Sequence, residues 1–414
     1  MAHGRSVRAL AVTVALVAVA ACGSTKSNGS SGSSTTFDTA VLGTPKPATG
    51  TPMKVGLVVD GKTDALDSTS VLAAGKATVQ YVNGYLGGIN GHPITLEPCE
   101  TGATPTGATN CASQLVNAKV ATVIVPLSSE DGVIATGLKG SGIPFVTYLT
   151  ANPAIVANPD AFVLPNPFAA IAAPAALAKA SGLKKVGLVI IDVPATTGPI
   201  SALAKPIFAK AGVGFDMINI SAQVADPTPE IQQAINNGDD MFVVGGSDSF
   251  TVSAIKAMKQ LGFDGEIALA GGSSATNVAE ALPGVLKGIK TVAPMTSDPS
   301  DPDVKLYDAV MAKYASGVDP VAATPDGFAS VLGFVRALEG VTSAVDATTI
   351  HTALASMPRP VALPLGSGIT FQCGAKPIPF APSICGSDVL VGTLDAAGVG
   401  HDFEKVDVAP YLVR

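Results

Sequence analysis

Residues 54–98 read KVGLVVDGKTDALDSTSVLAAGKATVQYVNGYLGGINGHPITLEP and switch twice between two hydrophobic patterns. Lys54 to Val59 is a short, nearly continuous apolar run, the pattern of a buried strand. Ser68 to Tyr85 carries Ala and Val at helical spacing, and Gly87-Gly88 ends it, because glycine enters the left-handed conformation that terminates helices. Ile94 to Pro98 is apolar again and predicts a second strand. Strand, helix and strand in succession make a βαβ unit, and such units build parallel sheets covered by helices on both faces.

The same alternation continues along the chain. Ala121 to Val125 predicts the third strand, Glu130 to Lys139 a helix and Pro144 to Tyr148 the fourth strand. A second series follows the Pro-rich passage Asn158 to Pro167, with a helix at Ala169 to Ser181 and a strongly apolar strand at Lys185 to Ile191. Further strands are expected at Gly214–Ile220, Met241–Val244, Ile267–Ala270 and Ile289–Ala293, with helices near 200–210, 229–236, 249–261 and 277–282. Two long helices come next, Asp303–Tyr314 and Asp326–Glu339. The Gly- and Pro-rich tail from Leu363 holds strand-like pieces at Gly368–Phe371 and Val389–Asp395. The fold class is therefore α/β, with two doubly wound parallel-sheet lobes; no short fixed-period repeat points to a solenoid.

The N-terminus carries a different message. Arg5 and Arg8 lead into the apolar run Ala9 to Ala21, which closes on Val19-Ala20-Ala21-Cys22. A basic start, a short apolar run and small residues before a cut form an export signal, and the run is short for a spanning helix. Cysteine after two alanines resembles the bacterial lipobox, in which the thiol is diacylated and becomes the new N-terminus. That resemblance implies a signal peptide over 1–21, lipidation of Cys22, and an extracytoplasmic protein anchored to the outer face of the cytoplasmic membrane. An ordinary cleaved signal with an incidental cysteine is the plain alternative. Gly23 to Thr36 is almost wholly Gly, Ser, Thr, Asn and Lys, so 22–51 reads as a flexible tether stiffened by Pro45 and Pro47 near its end.

Composition excludes several functions. A formal charge of −7 argues against nucleic acid, whose binding needs a basic face. Setting Cys22 aside leaves Cys99, Cys111, Cys373 and Cys385, which allow three pairings. Cys99–Cys111 and Cys373–Cys385 are favoured, because each pair brackets a short loop in an oxidising compartment, and each bridge is worth about 3 kcal/mol in the chain-entropy model. A metal site is a weak rival, since no Cys-x-x-Cys exists and His92, His351 and His401 lie far apart. Gly56 to Thr63, GLVVDGKT, satisfies the phosphate-loop spacing, but Leu57-Val58-Val59 belong to a strand interior, where a phosphate-wrapping loop cannot start. Neither a Gly-x-Ser-x-Gly elbow nor a His-Glu-x-x-His helix is present, so the chain is read as a non-enzyme without cofactor.

Taken together, AAGKATVQYVNGYLGGINGHPI (73–94), VATVIVPLSS ending at Ser129, SGIPFVTY ending at Tyr148, SGLKKVGLVIID ending at Asp192 and MKQLGFDGEI ending at Ile267 resemble the type I periplasmic binding proteins. The resemblance is to the branched-chain amino acid subgroup that feeds ABC importers. It implies two hinged lobes joined by three crossovers, the first at about 52–165 plus 296–362, the second at about 166–295 plus 363–414. It also implies a small-molecule ligand clamped between the lobes, delivery to ABC permease subunits, and a monomer.

Open parallel sheets bind ligands beyond the carboxyl ends of their strands, which directs attention to the loops 60–70, 127–131 and 148–152. Ser128 and Ser129 precede a helix, so their hydroxyls and the free N–H groups of its first turn can hold a carboxylate; equally they can cap that helix, and Glu130 and Asp131 would repel an anion. By the resemblance, Thr147, Tyr148 and Thr150 supply a second hydroxyl and backbone contacts. Tyr148 either walls the pocket or packs beneath the loop. From the second lobe come Asp192, Asp248 and Ser273. Asp248 is a partner for a ligand ammonium or, with Ser247 and Ser249, the start of a helix. DVPATTG at 192–198 lacks the Tyr-Gly pair common in close relatives. The expected function is capture of a small polar or zwitterionic solute, a branched-chain or other amino acid first. A ligand-sensing or partner-binding lipoprotein of the same fold, or a lipoprotein hydrolase, are the alternatives.

Overall fold

The computed structural model describes residues 38–63, 67–150, 152–221, 223–271, 274–318, 323–342 and 345–412. The expected signal peptide, Cys22, the expected tether up to residue 37 and Ser273 lie outside the described residues.

The first lobe is built on five parallel strands, β1 (Met53–Val59), β2 (Ile94–Glu100), β3 (Thr122–Leu127), β4 (Phe145–Thr147) and β5 (Ala161–Val163), in the order β2-β1-β3-β4-β5. Between them run α1 (Thr69–Tyr81), α2 (Pro105–Ala118), α3 (Asp131–Leu138) and the single turn α4 (Pro153–Val156). Leu57, Val58 and Val59 are wholly buried inside β1, as a strand interior requires. Helix α1 continues into a widened π-helical turn at Val82–Leu86 and stops where Gly87 and Gly88 take φ of 78° and 68°. A side chain at Gly88 would also collide with the His92 carbonyl, so the Gly-Gly pair is needed twice over.

The second lobe repeats this winding. Helix α5 (Ala169–Ala180) leads to β6 (Lys185–Ile191), α6 (Pro194–Ala211), β7 (Gly214–Ile220), α7 (Thr228–Asn236), β8 (Met241–Gly245), α8 (Asp248–Gln260), β9 (Glu266–Leu269), α9 (Ala275–Ala281) and β10 (Lys290–Ala293). Three helices then return to the first lobe, α10 (Pro302–Tyr314), α11 (Thr324–Ala337) and α12 (Ala347–Ala355), followed by the small hairpin β11 (Val361–Ala362) and β12 (Thr370–Phe371). Antiparallel β13 (Asp388–Leu394) and β14 (Gly400–Asp407) complete the second sheet, ordered β14-β13-β10-β9-β8-β6-β7.

Each sheet is covered on both faces. In the first lobe α1, α10 and α11 pack on one face, with Val55, Leu57, Phe328 and Phe334 buried among them, while α2 and α3 bring Leu115 and Ile134 to the other. In the second lobe α5 and α6 cover one face and α7, α8 and α9 the other. The chain passes between lobes at 164–168, 294–301 and 372–387. The first and third crossovers are tied together, Asn166 Nδ2 donating to the Ser387 carbonyl at 2.8 Å, and the second is tied to the first lobe, the Thr296 N–H donating to the Leu365 carbonyl at 2.7 Å.

Two expected boundaries move. The folded part begins before residue 52, because Leu42 is buried in the first core and the N–H groups of Lys46 and Ala48 bond to the Gly84 and Asn83 carbonyls at 2.9 and 2.8 Å. The return to the second lobe comes later than residue 363, because Leu363, Leu365, Ile369 and Phe371 are buried in the first-lobe core. Both bridges favoured from local spacing are formed, Cys99–Cys111 and Cys373–Cys385. The first clips α2 to the edge strand β2; the second closes a loop within the third crossover.

Candidate ligand-binding site at the strand mouths

Both sheets reverse their winding once, between β1 and β3 in the first lobe and between β6 and β8 in the second. At such a point the connecting helices leave to opposite faces and a crevice opens beyond the strand ends. Asp60 and the Ser128-Ser129 pair stand at the first reversal, Asp192 and Asp248 at the second.

Asp60 is the centre of the first mouth, and the sequence reading placed it in a loop of interest without singling it out. It is 1% exposed. Its Oδ1 accepts hydrogen bonds from Thr101 Oγ1 and Ser128 Oγ, both at 2.6 Å, and its Oδ2 accepts from the Ser129 N–H at 2.8 Å. Burial pushes the carboxyl up, but donation from Ser128, Ser129 and Thr101 outweighs it and holds Asp60 below the ordinary carboxylate range. Ser128 in turn accepts from the Glu130 N–H at 3.1 Å. The donors expected to meet a ligand carboxylate are therefore engaged by the protein's own.

A second buried carboxylate, Asp131, opens α3 just past Ser128 and Ser129. Asp131 accepts from Thr150 Oγ1 at 2.6 Å and from Asn152 Nδ2 at 3.3 Å, and burial, with a smaller push from Asp60, raises its pKa. Thr150, expected to offer its hydroxyl outward, is 4% exposed and points that hydroxyl at Asp131. Thr147 is wholly buried and donates to the Val125 carbonyl at 2.8 Å. Tyr148 is likewise wholly buried, so it packs beneath the loop and does not wall a pocket; its hydroxyl lies 3.4 and 3.5 Å from the carbonyls of Pro294 and Pro364, beside the crossovers.

In the second lobe Asp192 is exposed at the end of β6. Asp248 is half-buried, and both its oxygens are engaged, Oδ1 by the Ser274 N–H at 2.7 Å and Oδ2 by Asn277 Nδ2 at 2.8 Å. It therefore orders the loop into α9, while Ser247 caps α8 through the Phe250 N–H.

What the mouths do present to solvent is partly apolar. Five large apolar side chains are exposed among the described residues, and Leu149, Val193 and Val224, 42%, 45% and 37% exposed, stand on loops that follow β4, β6 and β7. Sequence reading singled out none of the three, although Leu149 lies in the loop 148–152 and each lies one to four places past a predicted strand end. A groove of about 740 Å³ between α3, α4 and α12, which includes His351 and Asp160, contains none of the expected ligand residues. Among the described residues no group of His, Cys, Asp and Glu is arranged to hold a metal ion.

The profile of a family described as periplasmic binding proteins matches residues 52–379. The chain belongs to this family. Among solved members of the periplasmic binding protein fold, a leucine binding protein from Thermotoga maritima is 20% identical, with 86% of this chain and 99% of that one covered and a TM-score of 0.63. A branched-chain amino acid transporter substrate binding protein from Streptococcus pneumoniae, solved with isoleucine, is 18% identical over 86% and 99% of the two chains, with a TM-score of 0.62. A fatty acid ABC transporter substrate-binding protein from Thermomonospora curvata is 15% identical over 88% and 95%, with a TM-score of 0.66. No curated protein matches the sequence. At these identities the likeness establishes the two-lobed fold of the periplasmic binding proteins and leaves the pocket to be read from this chain's own residues.

Proposed function

We propose that this chain is the solute-capturing component of an ABC importer, exported, anchored through lipid on Cys22, and delivering a small ligand to a permease. The observation that carries the reading is the pair of matched winding reversals, with exposed apolar side chains on loops beyond strands of the same sheets, Leu149 after β4 in the first lobe and Val193 and Val224 after β6 and β7 in the second. Apolar surface left exposed at a crevice is surface a ligand can cover. The relatives named for leucine, for branched-chain amino acids and for fatty acid have ligands with an apolar body, which suits Leu149, Val193 and Val224. The ligand is thus a small molecule with an apolar body and a polar group, and amino acids are the first class to test.

No bond is made or broken in this process. Contacts from both lobes coexist only when the crevice is filled, so the ligand draws the lobes together by its differential affinity for the closed form. The three crossovers are the hinge. A thermal-shift screen of amino acids, their amides and small acids, followed by small-angle scattering of each hit, tests this. A ligand at a hundred times its Kd stabilises by about 2.7 kcal/mol, and the radius of gyration is expected to fall. A bound compound that leaves the scattering profile unchanged would refute hinge capture.

A further inference from the structure

We propose that Asp60 is a specificity-determining residue that fills the anion seat of the first lobe, so that the ligand presents to this lobe an amide, an amine or an apolar end and not a free carboxylate. This rests on the solute-binding reading and narrows its ligand class. A loop that leaves a parallel strand and enters a helix offers two kinds of donor to an incoming carboxylate, the serine hydroxyls and the N–H groups of the helix start. Here the Ser128 hydroxyl and the Ser129 N–H both donate to Asp60, at 2.6 and 2.8 Å. Thr101, at the end of the neighbouring strand, donates to the same carboxylate at 2.6 Å, and the Thr150 hydroxyl is engaged by Asp131.

The seat is therefore occupied by a charge that the protein carries on its own chain. Because Asp60 is almost wholly buried, water does little to screen it, and its three hydrogen bonds favour the ionised form. A ligand carboxylate arriving at this loop meets two internal carboxylates and finds these donors engaged. Lys62, the lysine of the loop that follows β1, is paired with Asp67 at 3.6 Å. A neutral or cationic group meets no such opposition, and Leu149, exposed on the loop after β4 of the same sheet, offers contact to an apolar body.

The test uses four probes of one carbon skeleton: leucine, 4-methylpentanoate, leucinamide and 3-methylbutylamine. Binding to the full mature chain is measured by calorimetry, and contraction by small-angle scattering. The expected result is that leucinamide or 3-methylbutylamine binds at least tenfold more tightly than either carboxylate. Asp60→Ala, which empties the seat, should narrow that gap by at least tenfold; Asp60→Asn, which keeps the shape and removes the charge, should narrow it in the same direction. Melting temperature and circular dichroism confirm that each variant is folded. Leucine binding to the native chain as tightly as leucinamide, an unchanged preference in both variants, or no binding of the four probes would each overturn the inference. If leucine binds and the molecule contracts, solute capture stands and the Asp60 assignment falls; if a probe binds without contraction, the capture reading falls.

Discussion

Asp326 shows what a single buried carboxyl does to this protein. It lies in the first turn of α11, is 6% exposed, and burial raises its pKa from an ordinary 3.8 to about 7. The unfolded chain ionises this group near the ordinary value, so between about pH 4 and 7 the native state holds an extra proton and stability falls as pH rises. Asp326→Asn is expected to lessen that slope, to which Asp239, raised to about 6, also contributes, and to raise stability at pH 8 by about 2 kcal/mol, read from urea unfolding at several pH values. An unchanged slope would place the titrating group elsewhere. Asp60 has the opposite sign, because its pKa is lowered: its contribution is present at neutral pH and disappears in acid.

At the scale of elements, the crossing of α1 with α11 depends on Gly327. A side chain there would collide with the Val71 carbonyl and approach the Gly75 backbone, while one on Gly75 would lie 2.7 Å from Leu57 Cδ2 of β1. The two helices thus approach until backbone meets backbone, and Ser70 Oγ and Thr324 Oγ1 sit 2.8 Å apart at their starts. Gly327→Ala should cost at least about 2 kcal/mol by forcing them apart, measured as a fall in the denaturation midpoint, although alanine is the better helix former. A stabilised variant would mean that the crossing can relax. Sequence reading found α1 and α11 from their periodic Ala, Val and Phe, yet assigned no element between Pro98 and Ala121. That segment forms α2, whose sequence PTGATNCASQLVNA is rich in poor helix formers. It holds because Thr104 accepts from the Gly107 N–H at 3.1 Å, Pro105 sits at the first helical position, and Cys111 is bonded to Cys99. None of these supports is a periodic signal.

Across the whole molecule, the lobes share more than a hinge. One buried cluster runs from Leu115 and Ile134 under the first sheet, through Ala172 and Ala176 of α5, to Val186, Val243 and Val391 of the second. Two lobes joined by such a core should unfold in one transition, seen as coincident urea curves by circular dichroism and tyrosine fluorescence. Two separated transitions would show that the cluster does not couple them. Hinge bending must then occur along the crossovers without opening this core; Tyr148 bonds to the second crossover at Pro294 and Asn166 of the first crossover bonds to the third at Ser387.

The two-lobed α/β architecture and both disulfides were legible in the chain, because strand and helix periodicity, Gly-Gly stops and short cysteine spacing are local properties. The identity of the groups facing the crevice was not. Ser128, Thr147, Tyr148, Thr150 and Asp248 all lie at strand ends as expected, yet their side chains are buried or engaged by partners up to 216 positions away in sequence. Asp60 takes the donors of a loop 68 positions further along the chain. A hydroxyl has one proton to give, and which acceptor receives it depends on what folding brings within 3 Å, a distance that spacing along a chain does not encode.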